Sequence, residues 1–274
     1  MRGVFALCGS SGGSQSPDIQ VDKQIGFVLT EFRVLVVGHS HIVALRKAGE
    51  MLPPAFGLSF EFINLNAREA ASAASVSGNA QGNPVIEDIE SFQPDVIASC
   101  VGGNAHTIFG LLEHPSPFDF IHPDDEDHAV DSTRQILPYT VIRSALEAGM
   151  TEELKTLALL RRDHNRPVFH LESPPGNPSE QHIQQYPGAF KALMSERGIT
   201  PASIRHKLWQ VNSLIVRESC EKNGIRFVAV PREVQDTQGM LVEQAWNPDP
   251  THANPWYGGR ILEQLKRIVP GVLQ

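Results

Sequence analysis

Three residues of this sequence form a set able to carry out acyl transfer: Ser40, Asp249 and His252. A neutral imidazole can take the proton of a serine hydroxyl, while a carboxylate fixes its tautomer and stabilises the imidazolium that forms. Asp249-Pro250-Thr251-His252 places the acid three residues ahead of the imidazole in a proline-containing turn, and Ser40 lies in the run Gly38-His39-Ser40-His41. Each group also has a plain structural reading. Serine is a frequent helix N-cap, and a turn Asp beside an exposed His needs no catalytic role. A further stretch, Val101-Gly102-Gly103-Asn104, joins glycines that let backbone approach a ligand to an amide able to donate to an oxyanion. Gly and Asn are equally ordinary turn formers.

Strands and helices must position these groups. Residues 32–37 (FRVLVV) form a short apolar, β-branched run ending at Gly38, the pattern of a buried parallel strand. A helix over 41–51 follows, with Ile42, Leu45 and Ala48 on one face and Pro53 and Pro54 beyond its end. Further strands are expected at 58–63, 95–101, 168–171 and 226–230, and helical pattern at 85–92, 141–162 and 204–220. A last helix starts near Pro255, with Ile261, Leu262, Leu265 and Ile268 on one face. Strands separated by helices imply a parallel sheet covered on both faces, with ligands bound beyond the carboxyl ends of its strands. Ser40, the Gly-Gly-Asn stretch and the Asp-Pro-Thr-His turn all fall at or near such ends.

Residues 1–27 read as a flexible N-terminal segment, and 28–274 as one domain with an irregular, proline-rich insertion near 106–138. The formal charge is −8 with no dense Lys/Arg stripe, so nucleic acid is not an expected partner. No apolar run is long enough for a membrane span, and the apolar stretch within residues 1–8 is shorter than a signal-peptide core. Cys8, Cys100 and Cys220 suggest neither a disulfide framework nor a zinc site, which fits a cytoplasmic location. There is no phosphate loop of the Walker type and no GxGxxG after the first strand.

The combination of motifs resembles the SGNH/GDSL hydrolase family, whose ordered blocks carry a strand-end serine, an oxyanion glycine, a Gly-x-Asn and a late Asp-x-x-His. GHS at 38–40, VSGN at 76–79, GGN at 102–104 and DPTH at 249–252 match them in order, and the resemblance spans roughly residues 32–270. It implies a flavodoxin-like α/β fold: a three-layer α/β/α sandwich around a central, mostly parallel five-stranded sheet. It further implies a serine-dependent hydrolase that cleaves an acyl or acetyl ester through an acyl-enzyme on Ser40, without a cofactor. Asp249 and His252 would complete the triad, and the Ser40 N–H, the Gly78 N–H and the Asn104 side chain would form the oxyanion hole. Gly82 is a substitute for Gly78. The implied substrate is a small-molecule or carbohydrate-linked ester.

Two positions depart from the family: His39 stands where Asp is usual, and Ala105 where Asp commonly follows the Asn. The first changes the charge beside the nucleophile. Other readings stay open at this level. The same fold could bind an acylated or sugar ligand without turning it over, or pass the acyl group to an acceptor other than water. His39-x-His41 also resembles a ligand pair of a metal-dependent phosphoesterase, and His122, Asp124, Asp125, Glu126 and His128 could be a metal cluster or a solvated acidic loop. Trp209, Trp246 and Trp256 could line a pocket or pack in a core. The oligomeric state is not expressed in the sequence.

Overall fold

Val34, Leu35, Val36 and Val37 are completely shielded from solvent, because alternate side chains of their strand enter two different cores. Val34 and Val36 join one apolar cluster, and Leu35 and Val37 join a second. In this computed structural model residues 31–67, 89, 91–124, 130–162 and 165–273 are described. The expected helix at 85–92, Gly78 and Gly82 lie wholly or largely outside them, as do Asp125, Glu126, His128 and residues 1–27.

The strand is β1 (Phe32–Gly38), and it pairs in parallel with β2 (Leu58–Asn64) on one side and β3 (Val96–Cys100) on the other. Beyond the short strands β4 (Phe118–Asp119) and β5 (Gln135–Ile136), β6 (Val168–Leu171) pairs with β3, and β7 (Arg226–Val228) pairs with β6, both again in parallel. The order is β2-β1-β3-β6-β7. The chain therefore leaves β1 for one edge and returns to its other side. That reversal opens a crevice at the carboxyl ends of β1 and β3, where sheets of this kind bind ligands.

Helices cover both faces. The first cluster is closed by α1 (Ile42–Gly49), whose Ile42, Leu45 and Ala48 are buried, and by the late helix Pro255–Ile268, whose Ile261, Leu262 and Leu265 are buried. These two helices touch closely: a Cβ on Gly258 would run into the carbonyl oxygen of Ala44 and lie 3.0 Å from Ala48 Cβ. The second cluster takes its helical side from residues 139–162 and 202–222. The pattern expected as one helical stretch at 141–162 is two helices, Tyr139–Gly149 and Thr151–Arg162, divided at Met150, which is itself buried. The architecture is a three-layer α/β/α sandwich on a fully parallel central sheet of five strands. Residues 31–274 constitute one compact unit. Among the described residues, no helix is long and apolar enough to cross a membrane.

With the labels now run in chain order, α2 is Ala105–Gly110, α3 is Tyr139–Gly149, α4 is Thr151–Arg162, α5 is Glu180–Gln185, α6 is Lys191–Arg197, α7 is Ala202–Lys222 and α8 is Pro255–Ile268. The stretch read as an irregular insertion opens with α2 and holds the two-residue parallel pair β4–β5. An ion pair anchors it: Lys207 of α7 binds Asp119 of β4, with both side chains almost wholly buried. Lys207 Nζ also donates to the Phe120 carbonyl at 2.9 Å, while Asp119 accepts the amides of Phe120 and Asp131 at 2.7 and 2.9 Å. Removing one partner of such a pair strands a desolvated charge. Asp119→Ala is therefore expected to destabilise the protein by about 3 to 5 kcal/mol in a urea-denaturation measurement, well beyond the effect of a surface change.

Candidate active site

Ser40 occupies the tight turn between β1 and α1. The His39 and Ser40 carbonyls accept the amides of Ile42 and Val43, each at 3.2 Å, and start the helix. The N-cap position belongs to His41, and no side chain caps α1. The capping role open to Ser40 is thus not taken, and the residue sits half-buried just beyond the carboxyl end of β1.

The Asp-Pro-Thr-His turn folds around its own carboxylate. Asp249 Oδ1 accepts the backbone amides of Thr251 and His252 at 2.8 and 2.7 Å and lies 3.1 Å from His252 Nδ1, while Oδ2 accepts from the Asn247 side-chain amide. Burial opposes ionisation of this group, but the hydrogen bonds from His252, Thr251 and Asn247 outweigh it and hold the carboxyl well below the usual carboxylate range. A permanently ionised carboxylate at Nδ1 selects the tautomer with its proton there, leaving Nε2 as the acceptor. Thr251 Oγ1 lies 3.1 Å from the same Nδ1. The turn is fixed from behind by Asn254, the N-cap of α8, whose side-chain oxygen accepts the amides of Trp256 and Tyr257 at 2.9 and 3.3 Å. Pro255 at the first helical position needs no amide partner.

The third component is the end of β3. Gly102 and Gly103 both adopt positive φ, +74° and +86°, which excludes most side chains there, and a Cβ on Gly103 would lie 2.6 Å from Ser173 Cβ. This double turn delivers Asn104 to the start of α2. Its carbonyl accepts the amides of Thr107 and Ile108 at 3.0 and 2.9 Å, but its side chain makes no capping bond, so the amide group is not committed to its own helix.

These three loops meet at the switch point. The His41 ring, next in sequence to Ser40, packs 5.4 Å from the His252 ring. Burial, then the nearby His252 and His106, push His41 down to about 3, so it stays neutral and adds no charge beside the His252 imidazole. No hydrogen bond joins Ser40 to His252 among the described residues. Asp249 and His252 are thus directly paired, whereas among the described residues no hydrogen bond joins Ser40 or Asn104 to either of them. The Gly78 amide lies outside the described residues.

The sequence reading overlooked His106. It is buried on the first turn of α2, burial lowers it to about 4, and it lines a small cavity with His41, Thr107, Pro174, Pro250 and Thr251. Its position two residues after Asn104, on a helix that starts at a strand end, was the available signal. Glu172, at the end of β6, was also overlooked: it is buried, accepts from Ser213 Oγ and, at 2.8 Å, from the Val230 amide, and ties β6 to β7. Trp209 is buried and donates to the Ser173 carbonyl at 3.1 Å, while Trp246 and Trp256 pack partly buried against the first core. Among the described residues, no three His, Cys, Asp or Glu side chains are grouped to hold a metal ion.

No protein-family model matches the chain, and no curated protein does. Solved structures similar to it include a GDSL-like lipase from Bacteroides thetaiotaomicron, with 12% identity over 88% of each chain and a TM-score of 0.45. A catalytic mutant of an acetylxylan esterase from Geobacillus stearothermophilus is 13% identical over 86% of this chain and 93% of that one, with a TM-score of 0.42. An alpha/beta hydrolase enzyme from a Lake Arreo metagenome is 14% identical over 89% and 96%, with a TM-score of 0.40.

Proposed function

We propose that this chain is a serine-dependent ester hydrolase of the SGNH/GDSL type, with Ser40 as nucleophile, His252 as general base and acid, and Asp249 as the orienting carboxylate. The observation that carries this reading is the pairing of Asp249 Oδ1 with His252 Nδ1 at 3.1 Å, with the His252 ring packed against that of His41, the residue next to Ser40. A carboxylate held by further hydrogen bonds from Asn247, Thr251 and the His252 amide is a rigid, ionised anchor for an imidazole.

In the proposed reaction His252 Nε2 takes the Ser40 proton as Ser40 Oγ attacks the ester carbonyl. Negative charge builds on the carbonyl oxygen and is met by the Ser40 amide, the Asn104 side chain and, by family resemblance, the Gly78 amide. The tetrahedral species collapses, the C–O bond to the alcohol breaks, and the alcohol leaves with the proton from His252. Water, deprotonated by the same imidazole, then attacks the acyl-enzyme, and the carboxylic acid departs as Ser40 recovers its proton. Small-molecule or carbohydrate-linked esters are the proposed substrates. Cys100 and Cys220, both buried and free, suit the proposed cytoplasmic setting.

A fluorophosphonate probe followed by peptide mass analysis tests the assignment. The adduct is expected on Ser40 of the folded protein and is expected to be lost in both Ser40→Ala and His252→Ala. An adduct on another serine, or none on folded wild-type protein, would overturn it.

A further inference from the structure

The last backbone pair of the β1–β3 ladder is Gly38 opposite Cys100. Beyond it the two chains separate, β1 into the turn that carries Ser40 and β3 into the two positive-φ glycines that lead to Asn104. One bond bridges them past that point: the Gly102 amide donates to His39 Nδ1 at 3.1 Å. A ring nitrogen can accept an N–H only through its lone pair, so the His39 imidazole must be unprotonated at Nδ1 and carry its hydrogen at Nε2. Protonation would set two N–H groups against each other.

We infer that His39 is a positioning residue for the reaction proposed above: its Nδ1 holds the Gly102 amide and locks the Ser40 turn to the Asn104 strand end, and the lock opens when the imidazole gains a proton. The inference rests on the esterase reading for its catalytic consequence, but the lock itself does not. A carboxylate or amide oxygen at position 39 would accept the same amide at any pH near neutrality, whereas an imidazole does so only while neutral. The other ionisable groups around this junction are His41 on the same turn, Asp249 and His252 ahead of α8, His106 on α2, and Glu153 of α4, whose stem packs against Gly102.

Nitrogen-15 NMR of the folded protein reads the lock without any substrate. The His39 ring is expected as the Nε2–H tautomer, with the Gly102 amide shifting in step with its titration; a proton on Nδ1, or a Gly102 amide indifferent to it, would overturn the lock. The second arm follows the rate of fluorophosphonate capture by Ser40 against pH. His39→Asn, which keeps an acceptor that no proton blocks, is expected to stay within about threefold of wild type at neutral pH and to lose less of its rate than wild type as the pH is lowered. His39→Leu, which has no acceptor, is expected to be slower by roughly 10- to 100-fold. An acid limb in His39→Asn identical to that of wild type, or an Asn variant as slow as the Leu variant, would overturn the positioning role. An intact lock in wild-type protein that never captures the probe would instead overturn the esterase reading and leave the lock standing.

Discussion

His252→Ala is expected to lower kcat on a chromogenic acetyl ester by roughly 10⁴- to 10⁶-fold while leaving the protein folded. The loss is large because in the proposed mechanism a single imidazole serves four proton transfers, two in forming the acyl-enzyme and two in resolving it. The fold should survive because the His252 side chain is about one-third exposed (36%), and its contribution to the turn is made mainly by its backbone amide, 2.7 Å from Asp249 Oδ1, which alanine retains. Steady-state kinetics beside a thermal melt separates the two effects. A kcat within tenfold of wild type would remove His252 from the mechanism.

Asn104→Ala is expected to cost about 100- to 1000-fold in kcat, corresponding to about 2.7 to 4 kcal/mol of transition-state stabilisation, with KM little changed. The amide works only once charge has moved onto the carbonyl oxygen, so its loss falls on the chemical step rather than on binding. Structure again argues for a specific effect. The Asn104 side chain makes no capping bond to α2, and the two bonds that begin that helix come from its carbonyl. Unchanged kcat with an intact melting transition would show that the amide does not face the oxyanion.

The buried strands were legible because each is bounded by turn residues and apolar on both faces, so that 32–37, 95–101 and 168–171 differ from the observed strands by two residues or fewer at either end. The DPTH spacing was legible as a pair, but not the inward fold of its carboxylate, which depends on Asn247, a residue without a motif of its own. Helix boundaries inside continuous periodic pattern were hidden: Met150 divides 139–162 yet is apolar, buried and in step with Ile142 and Leu146, so periodicity carries no mark of the break. The short helices α5 and α6 bury little, only Ile183 and Met194, and leave too weak a stripe to read. His39 was visible as a departure from the family, whereas its partner, a backbone amide 63 positions away, could come only from three dimensions.

The contact at Gly258 gives the site an adjustment point remote from any substrate. Ser40 lies just ahead of α1 and His252 just ahead of α8, so each reacting group rides on one member of the pair whose backbones meet at Gly258 and Ala44. In the proposed reaction, the thickness of that contact sets how far the proton travels. A single methyl group inserted there would act like a shim between two tool holders, spoiling the alignment of their tips while leaving both tips chemically whole.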